Sequence, residues 1–349
     1  MNTNARNYSL DLLRLLATFM IVVLHVQLFG GLLQPRGLTL SFFPTILLES
    51  FCIVAVNCFV LITGFFMIHK TVNWRKLLSL VLEIAVISWI IFAVGSICGL
   101  RAPFKELLQH LFPTLSGCHW FISSYVILYV LSPWLNKFIL SLNQQECFYL
   151  LGLLFVLFSV WGLNPKISLI GVQRGYSVLW LAYIYFIGSV IRLYTPLLVH
   201  PGKIYFLFSL LTVGYATLLC KFTFSIRWAM NYSSPFVLFA SIALFYSFYR
   251  LQINSAFTTK VIKFFAPGCF GVFLIHTDLF LRPLYKHLFE VQGYPSWIIT
   301  LVGSVMIFAG SLLFSVYIHK MIIYMVNEKL APLIKTRIVP IFLKRAPSK

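Results

Sequence analysis

The stretch Asp11-Leu12-Leu13-Arg14-Leu15-Leu16-Ala17-Thr18-Phe19-Met20-Ile21-Val22-Val23-Leu24-His25 sets the terms for the rest of the chain. Between Arg14 and His25 the run is apolar except for Thr18, and extended to 9–30 it has the roughly 20 residues that a bilayer crossing requires. Ionisable groups inside such a segment are costly, so each is a functional candidate. The whole chain shares this character. Of its 349 residues 60% are hydrophobic and only 10% charged, with 35 Phe, whereas a soluble domain carries about 25% charged residues. So few charges cannot cover a soluble protein of this size, which excludes a soluble enzyme, a disordered chain and a fibrous repeat. The fold class expected is all-α: a polytopic membrane helix bundle.

Apolar runs at 9–30, 42–68, 76–99, 119–140, 147–163, 177–195, 203–222, 234–252, 267–285 and 296–325 predict about ten transmembrane helices in one domain, 1–326, followed by a basic tail, 327–349. Turn residues such as Pro35-Arg36-Gly37, Asn164-Pro165 and Pro201-Gly202 punctuate the runs. The first run carries Asp11, Arg14 and His25, so it reads as a retained span and not a cleaved signal.

The net charge of +19 has a membrane reading. With the N-terminus inside, 17 Lys and Arg fall on the cytoplasmic side and nine on the other, which predicts both termini in the cytoplasm. No soluble basic domain exists to hold nucleic acid. The tail from Lys329 holds six Lys or Arg and is expected to lie along the anionic inner leaflet. The seven Cys are scattered without a CxxC, so neither a disulfide framework nor a metal site is expected.

Arg14 and His25 are 11 residues apart, which on an α-helix is only about 20° from three full turns. They share a stripe, roughly 16 Å apart along the axis. Asp11, three residues before Arg14, is placed to pair with it. An Arg reaching to the interface and a structural His would look the same. In the ninth run His276, Asp278 and Arg282 lie within seven residues, with Asp278 and Arg282 at the spacing of a neutralising pair. Glu49 and Glu83 are lone acids at membrane depth. His119, Trp120 and Tyr125 open the fourth run, either as an interfacial aromatic belt or as a groove for sugar rings. Phosphate-loop, zincin and nucleophile-elbow motifs are absent.

Four segments in order give the chain its resemblance to a known family. They are Asp11-Leu-Leu-Arg14-(x10)-His25, Val56-Asn57-Cys58-Phe59-Val60-Leu61-Ile62-Thr63-Gly64-Phe65-Phe66, Trp120-Phe121 through Tyr125 and Tyr129 to Pro133, and Gly271-Val-Phe-Leu-Ile-His276. They resemble the corresponding motifs of the acyltransferase 3 family of bacterial integral-membrane O-acyltransferases, whose membrane domain has ten helices. Many members carry Arg-x-x-Arg after the second span; here the turn reads Lys70 and Trp74-Arg75-Lys76.

The resemblance implies transfer of an acyl group, typically acetyl, from cytoplasmic acyl-CoA to a hydroxyl of a surface polysaccharide or its lipid-linked precursor, in a bacterial cytoplasmic (inner) membrane. No metal is expected. His25, Asp11, His276 and Asp278 are the candidate catalytic residues. Arg14, Arg75 and Lys76 are the candidates for binding acyl-CoA, and Glu49, His119, Trp120, Tyr125 and Arg282 for the acceptor. Membrane lipids and the saccharide acceptor are the expected partners. Two other classes stay open: a secondary transporter or flippase for a lipid-linked sugar, with His25, Glu49, Asp278 and Arg282 as a proton relay, and a membrane scaffold.

The orientation is testable. A single Cys placed at Arg101 in a Cys-free background is expected to react with an impermeant thiol reagent on intact cells. Labelling only after lysis would reverse the topology.

Overall fold

The computed structural model describes residues 6–33, 42–100, 103–117, 119–161, 172–222, 226–290 and 294–330. Among them the chain is helical, with no strand. Its first half forms α1 (Tyr8–Phe29), α2 (Phe43–Cys52), α3 (Ala55–Met67), α4 (Trp74–Ile97), α5 (Phe104–Leu111), α6 (Trp120–Ser141) and α7 (Gln144–Phe155). The second half forms α8 (Val178–Tyr194), α9 (Pro201–Lys221), α10 (Pro235–Tyr249), α11 (Ala256–Phe265), α12 (Cys269–His276), α13 (Tyr285–Leu288) and α14 (Ser296–Tyr324).

Each of the ten predicted runs overlaps helix, giving the all-α polytopic bundle expected. Six segments are long and apolar enough to cross: α1, α2 with α3, α4, α9, α11 with α12, and α14 with its extension to Glu328. A seventh results if α6 and the helix that follows it, which turn by 120° at Leu142–Asn143, are taken as one. Helices α8 and α10 are apolar but have only 17 and 15 residues. The break before α7 falls in the gap between the predicted runs 119–140 and 147–163, so hydropathy registers it; the shortness of α8 and α10, within runs read as 177–195 and 234–252, it does not.

The ninth run is corrected. The helix here spans 256–276, bent at Ala266-Pro267-Gly268, and ends at His276 instead of reaching 285. Asp278 and Arg282 therefore lie beyond it, in a turn closed by Arg282 N–H donating to the Asp278 carbonyl (3.1 Å), with Arg282 opening a short 3-10 helix. The turns at 34–41 and 162–171, and the tail beyond Leu330, lie outside the described residues.

The core is built around α1, α3, α8 and α10. Helices α3 and α8 approach backbone to backbone: a Cβ on Gly64 would run into the Tyr185 carbonyl, and one on Gly188 into the Leu61 carbonyl. Ser189 Oγ donates to the Gly64 carbonyl across the seam (3.2 Å). Small residues are what let helices close up in lipid, where no hydrophobic force presses them together. Buried amides tie the remaining ends. Asn136 of α6 donates to the carbonyls of Met67 (2.8 Å) and Lys70 (3.0 Å), satisfying the C-terminus of α3, and accepts from Tyr185 OH (2.6 Å). Asn57 accepts from Trp180 Nε1 (3.0 Å) and donates to the Tyr232 carbonyl (3.0 Å).

The seam makes a sign prediction. Gly→Ala in an exposed helix favours folding by about 1 kcal/mol, so Gly152→Ala, which meets open space in α7, should be neutral or stabilising. Gly64→Ala and Gly188→Ala should instead cost about 1–3 kcal/mol by overpacking. Thermal midpoints of the detergent-solubilised variants are the measurement; equal behaviour of the three would dismiss the seam.

Candidate active site

Helix α1 starts cleanly because Asn7 caps it, accepting from Leu10 N–H (3.0 Å). Its first turns carry Asp11 between two guanidiniums, Arg6 Nε at 2.6 Å and Arg14 Nη1 at 2.5 Å. These residues open onto a cavity of about 1290 Å³ whose other walls come from α3, the 69–73 turn, α4 and α6. Arg6, Arg14, Lys70, Arg75 and Lys76 line it against one acid, Asp11. The first turn of α4, capped by Asn73, also faces the cavity, so free backbone N–H groups and the positive end of the helix dipole add to the field. Tyr129 OH accepts from Asn73 N–H (3.2 Å) and helps fix that turn.

At the far end of α1, His25 lines a second cavity of about 460 Å³ with Glu49, Arg174, Tyr176 and Tyr232. The predicted stripe thus joins two cavities on one helix. Gln27, with its amide oriented so that nitrogen donates, bonds Glu49 Oε2 (2.9 Å) and the Thr45 carbonyl (3.3 Å). Arg174 and Gln173 adopt left-handed backbone (φ 58° and 47°), and the Arg174 guanidinium lies 3.5 Å above the Trp228 ring. Backbone held in this region by non-glycine residues is strained and collects at ligand sites.

The contact that organises the outer site is between His25 Nδ1 and His276 Nε2, at 2.8 Å. His276 Nδ1 lies 2.6 Å from the Val272 carbonyl. A carbonyl only accepts, so His276 Nδ1 carries a proton, and with the ring neutral its Nε2 holds a lone pair. His25 Nδ1 must then be the donor, which leaves the lone pair of His25 on Nε2. The His25 ring also stacks on Phe29 (centroids 5.2 Å, planes 11° apart). Arg282 covers the other side of that cluster, 5.1 Å over Phe29, and its Nε donates to the Thr277 carbonyl (2.9 Å).

Asp278 is held from outside the bundle. Helix α5 brings His110, whose Nε2 lies 3.2 Å from Asp278 Oδ2, against the rings of Phe92 and Phe280. Burial opposes charge on His110, but the Asp278 hydrogen bond, the Glu106 carbonyl and the carboxylate charges outweigh it and hold its pKa above the usual value. His119 Nδ1 meets Thr277 Oγ1 at 3.1 Å.

The predicted residues therefore fall into two groups. His25, His276, Asp278, His119, Arg282 and Glu49 gather at the outer end, and Asp11, Arg14, Arg75 and Lys76 at the inner end. Asp11, expected among the catalytic residues, touches Arg14 and Arg6 and lies about 20 Å along α1 from His25, so it positions a cation. Tyr125, expected beside Trp120 in an acceptor groove, lines the inner cavity and meets Thr63 Oγ1 at 3.2 Å. Trp120 stays at the outer end, 4.7 Å from Tyr176 and 5.8 Å from Tyr232. Sequence reasoning missed Arg174, Tyr176, Tyr232 and His110. Only the Asn73 cap before α4, which it also passed over, carried a local signal. The six described Cys are unpaired, and no metal-binding group of His, Cys, Asp or Glu occurs among the described residues.

No curated protein and no solved structure matches the chain significantly. The family model described as an acyltransferase domain matches residues 7–326, nearly the whole length, and with its helical membrane fold the chain belongs to the acyltransferase 3 family of membrane acyltransferases.

Proposed function

We propose that the protein moves an acyl group, in the simplest case acetyl, from cytoplasmic acyl-CoA to a hydroxyl of a surface polysaccharide or its lipid-linked precursor, in a bacterial inner membrane. One observation carries this reading. A single helix presents Arg14 to a cavity rich in cations and His25 to an aromatic cavity at its other end. Coenzyme A is a polyanion, and five Lys or Arg beside a helix N-terminus suit its phosphates. Arg adds planar two-point pairing that Lys cannot give. The roughly 16 Å from Arg14 to His25 is comparable with the reach from the coenzyme's phosphates to its thioester.

In this mechanism the acceptor sugar stacks on Tyr176 and Tyr232. His25 Nε2 takes the proton of its hydroxyl as the oxygen attacks the thioester carbonyl. The new C–O bond forms, the C–S bond breaks, and the proton passes to the departing thiolate. His276 acts through His25 by fixing which nitrogen is basic, and is a positioning residue.

Two cavities off one helix would also suit a carrier of a lipid-linked sugar. Consumption of acyl-CoA thioester by purified protein with acceptor separates the two, since a carrier consumes none.

His25→Ala is expected to lower turnover by about 10²–10⁴-fold, the usual contribution of a general base. Retention of more than about a tenth of wild-type turnover would reduce His25 to packing. His276→Leu removes the acceptor for His25 Nδ1 and should lower kcat by about 5–150-fold. His276→Gln, whose Oε1 can accept that bond, should recover part of the loss; equal loss in both variants would refute the tautomer role.

Arg14→Ala should raise the KM for acyl-CoA by about 10–150-fold, the cost of one charge-assisted contact, with partial rescue by Arg14→Lys. Acyl-CoA affinity unchanged in folded Arg14→Ala protein would remove Arg14 from the coenzyme site.

A further inference from the structure

We propose that the concave surface between α11 and α14, at the level of the inner leaflet, is a binding site for the headgroup of an anionic phospholipid. Lys260 and Lys263 of α11 and His319 and Lys320 of α14 line a cavity of about 370 Å³ there. Phe264, Pro267 and Val316 form its floor. Among the described residues no Asp or Glu lines it. The acid that touches its lining, Glu83 of α4, is buried behind His319 and bonded to its Nδ1 through Oε2 (2.7 Å). That bond fixes the His319 ring and holds one oxygen of the acid behind it, away from the cavity.

The position fits the inner leaflet. On the orientation that the charge asymmetry gives, α11 begins and α14 ends on the cytoplasmic side. Lys263 and His319 lie within about 10 Å of those helix ends, the depth of a lipid phosphate and its glycerol. Lysines scattered by the general inside bias need not converge. Here three ammoniums from two helices face one cavity, and the Lys320 Nζ lies 3.8 Å over the Phe264 ring instead of extending into water. Alongside, the exposed faces of Phe264, Tyr317 and Met321 offer apolar surface for acyl chains. A basic pocket between helices on this side, with an apolar flank, matches a phosphodiester joined to hydrocarbon. It shares no lining residue with the cavity of Arg14 and Arg75, so it stands whether or not the acyl-transfer reading does.

The test is native mass spectrometry of the full chain released from mixed micelles with phosphatidylglycerol and phosphatidylcholine at equal fraction. Retention of phosphatidylglycerol in preference is expected. The variant Lys260→Gln/Lys263→Gln/Lys320→Gln should lose that preference, at about fivefold per Lys. A control variant, Lys137→Gln/Lys203→Gln/Arg250→Gln, removes as many charges from the same face away from the cavity and should keep it. All six side chains are exposed, and thermal midpoints in phosphatidylcholine alone verify that both variants fold. Absence of a headgroup preference, a preference that survives the first variant, or equal loss in the control would overturn the site. Displacement of the lipid by millimolar inorganic phosphate would overturn the lipid in favour of a free anion.

Discussion

A hydrocarbon slab supplies no hydrogen bonds, and this constraint accounts for where the polar side chains of the protein stand. Each polar group inside the bundle must find its partner within the chain. The Val272 carbonyl shows the consequence most plainly. It holds His276 Nδ1, which fixes the role of His276 Nε2, which in turn fixes the role of His25 Nδ1. In water either ring could exchange tautomers freely; here one backbone oxygen determines the chemistry of a side chain on another helix. The same demand places Asn136 on the end of α3 and Asn57 between α8 and α10, where carbonyls and an indole N–H would otherwise be left unpaired inside the bundle.

Division of labour along α1 follows from the same physics. Asp11 can remain in the wall of the inner cavity because two guanidiniums grip its carboxylate, and that grip leaves Arg14 held at the cavity mouth. The excess of cations there is tolerable only because the cavity is open to water or to a polyanion. The outer cavity is smaller and mixes an acid, an arginine and two tyrosines, a lining that suits a neutral or weakly charged ring better than a chain of phosphates.

Much of this was legible in the residues. Composition alone gave a helical membrane bundle, and the 11-residue interval from Arg14 to His25 placed both on one stripe of one helix. What stayed hidden was long-range. His110 meets Asp278 across 168 residues and His25 meets His276 across 251, and no local pattern reports such pairs. Apolar runs also conceal where helices stop. The end of α12 at His276 falls inside the run read as 267–285, although Arg282 N–H still donates to the Asp278 carbonyl (3.1 Å), and the shortness of α10, 15 residues within the run 234–252, is equally hidden in hydropathy. Trp120 and Tyr125 read as one aromatic cluster, yet more than a turn of helix separates them, and Tyr125 lines the inner cavity while Trp120 stays with Tyr176 and Tyr232.

The backbone contact at Gly64 and Gly188 has a mechanical meaning. Two helices separated by side chains can slide as rotamers change, but main chain against main chain has no such compliant layer. Helices α3 and α8 therefore behave as a single stiff plate. Asn136, bonded to both the end of α3 and Tyr185, fastens α6 to that plate as well. Of the walls around the inner cavity, α4 is the one seated on the other half of the bundle, packing chiefly on α12, α14 and α5. The cavity thus lies between that stiff plate and a helix belonging to the opposite half of the bundle, joined to it at the cavity's edge by the Asn73–Tyr129 hydrogen bond, and it is this second half that contributes Arg75 and Lys76.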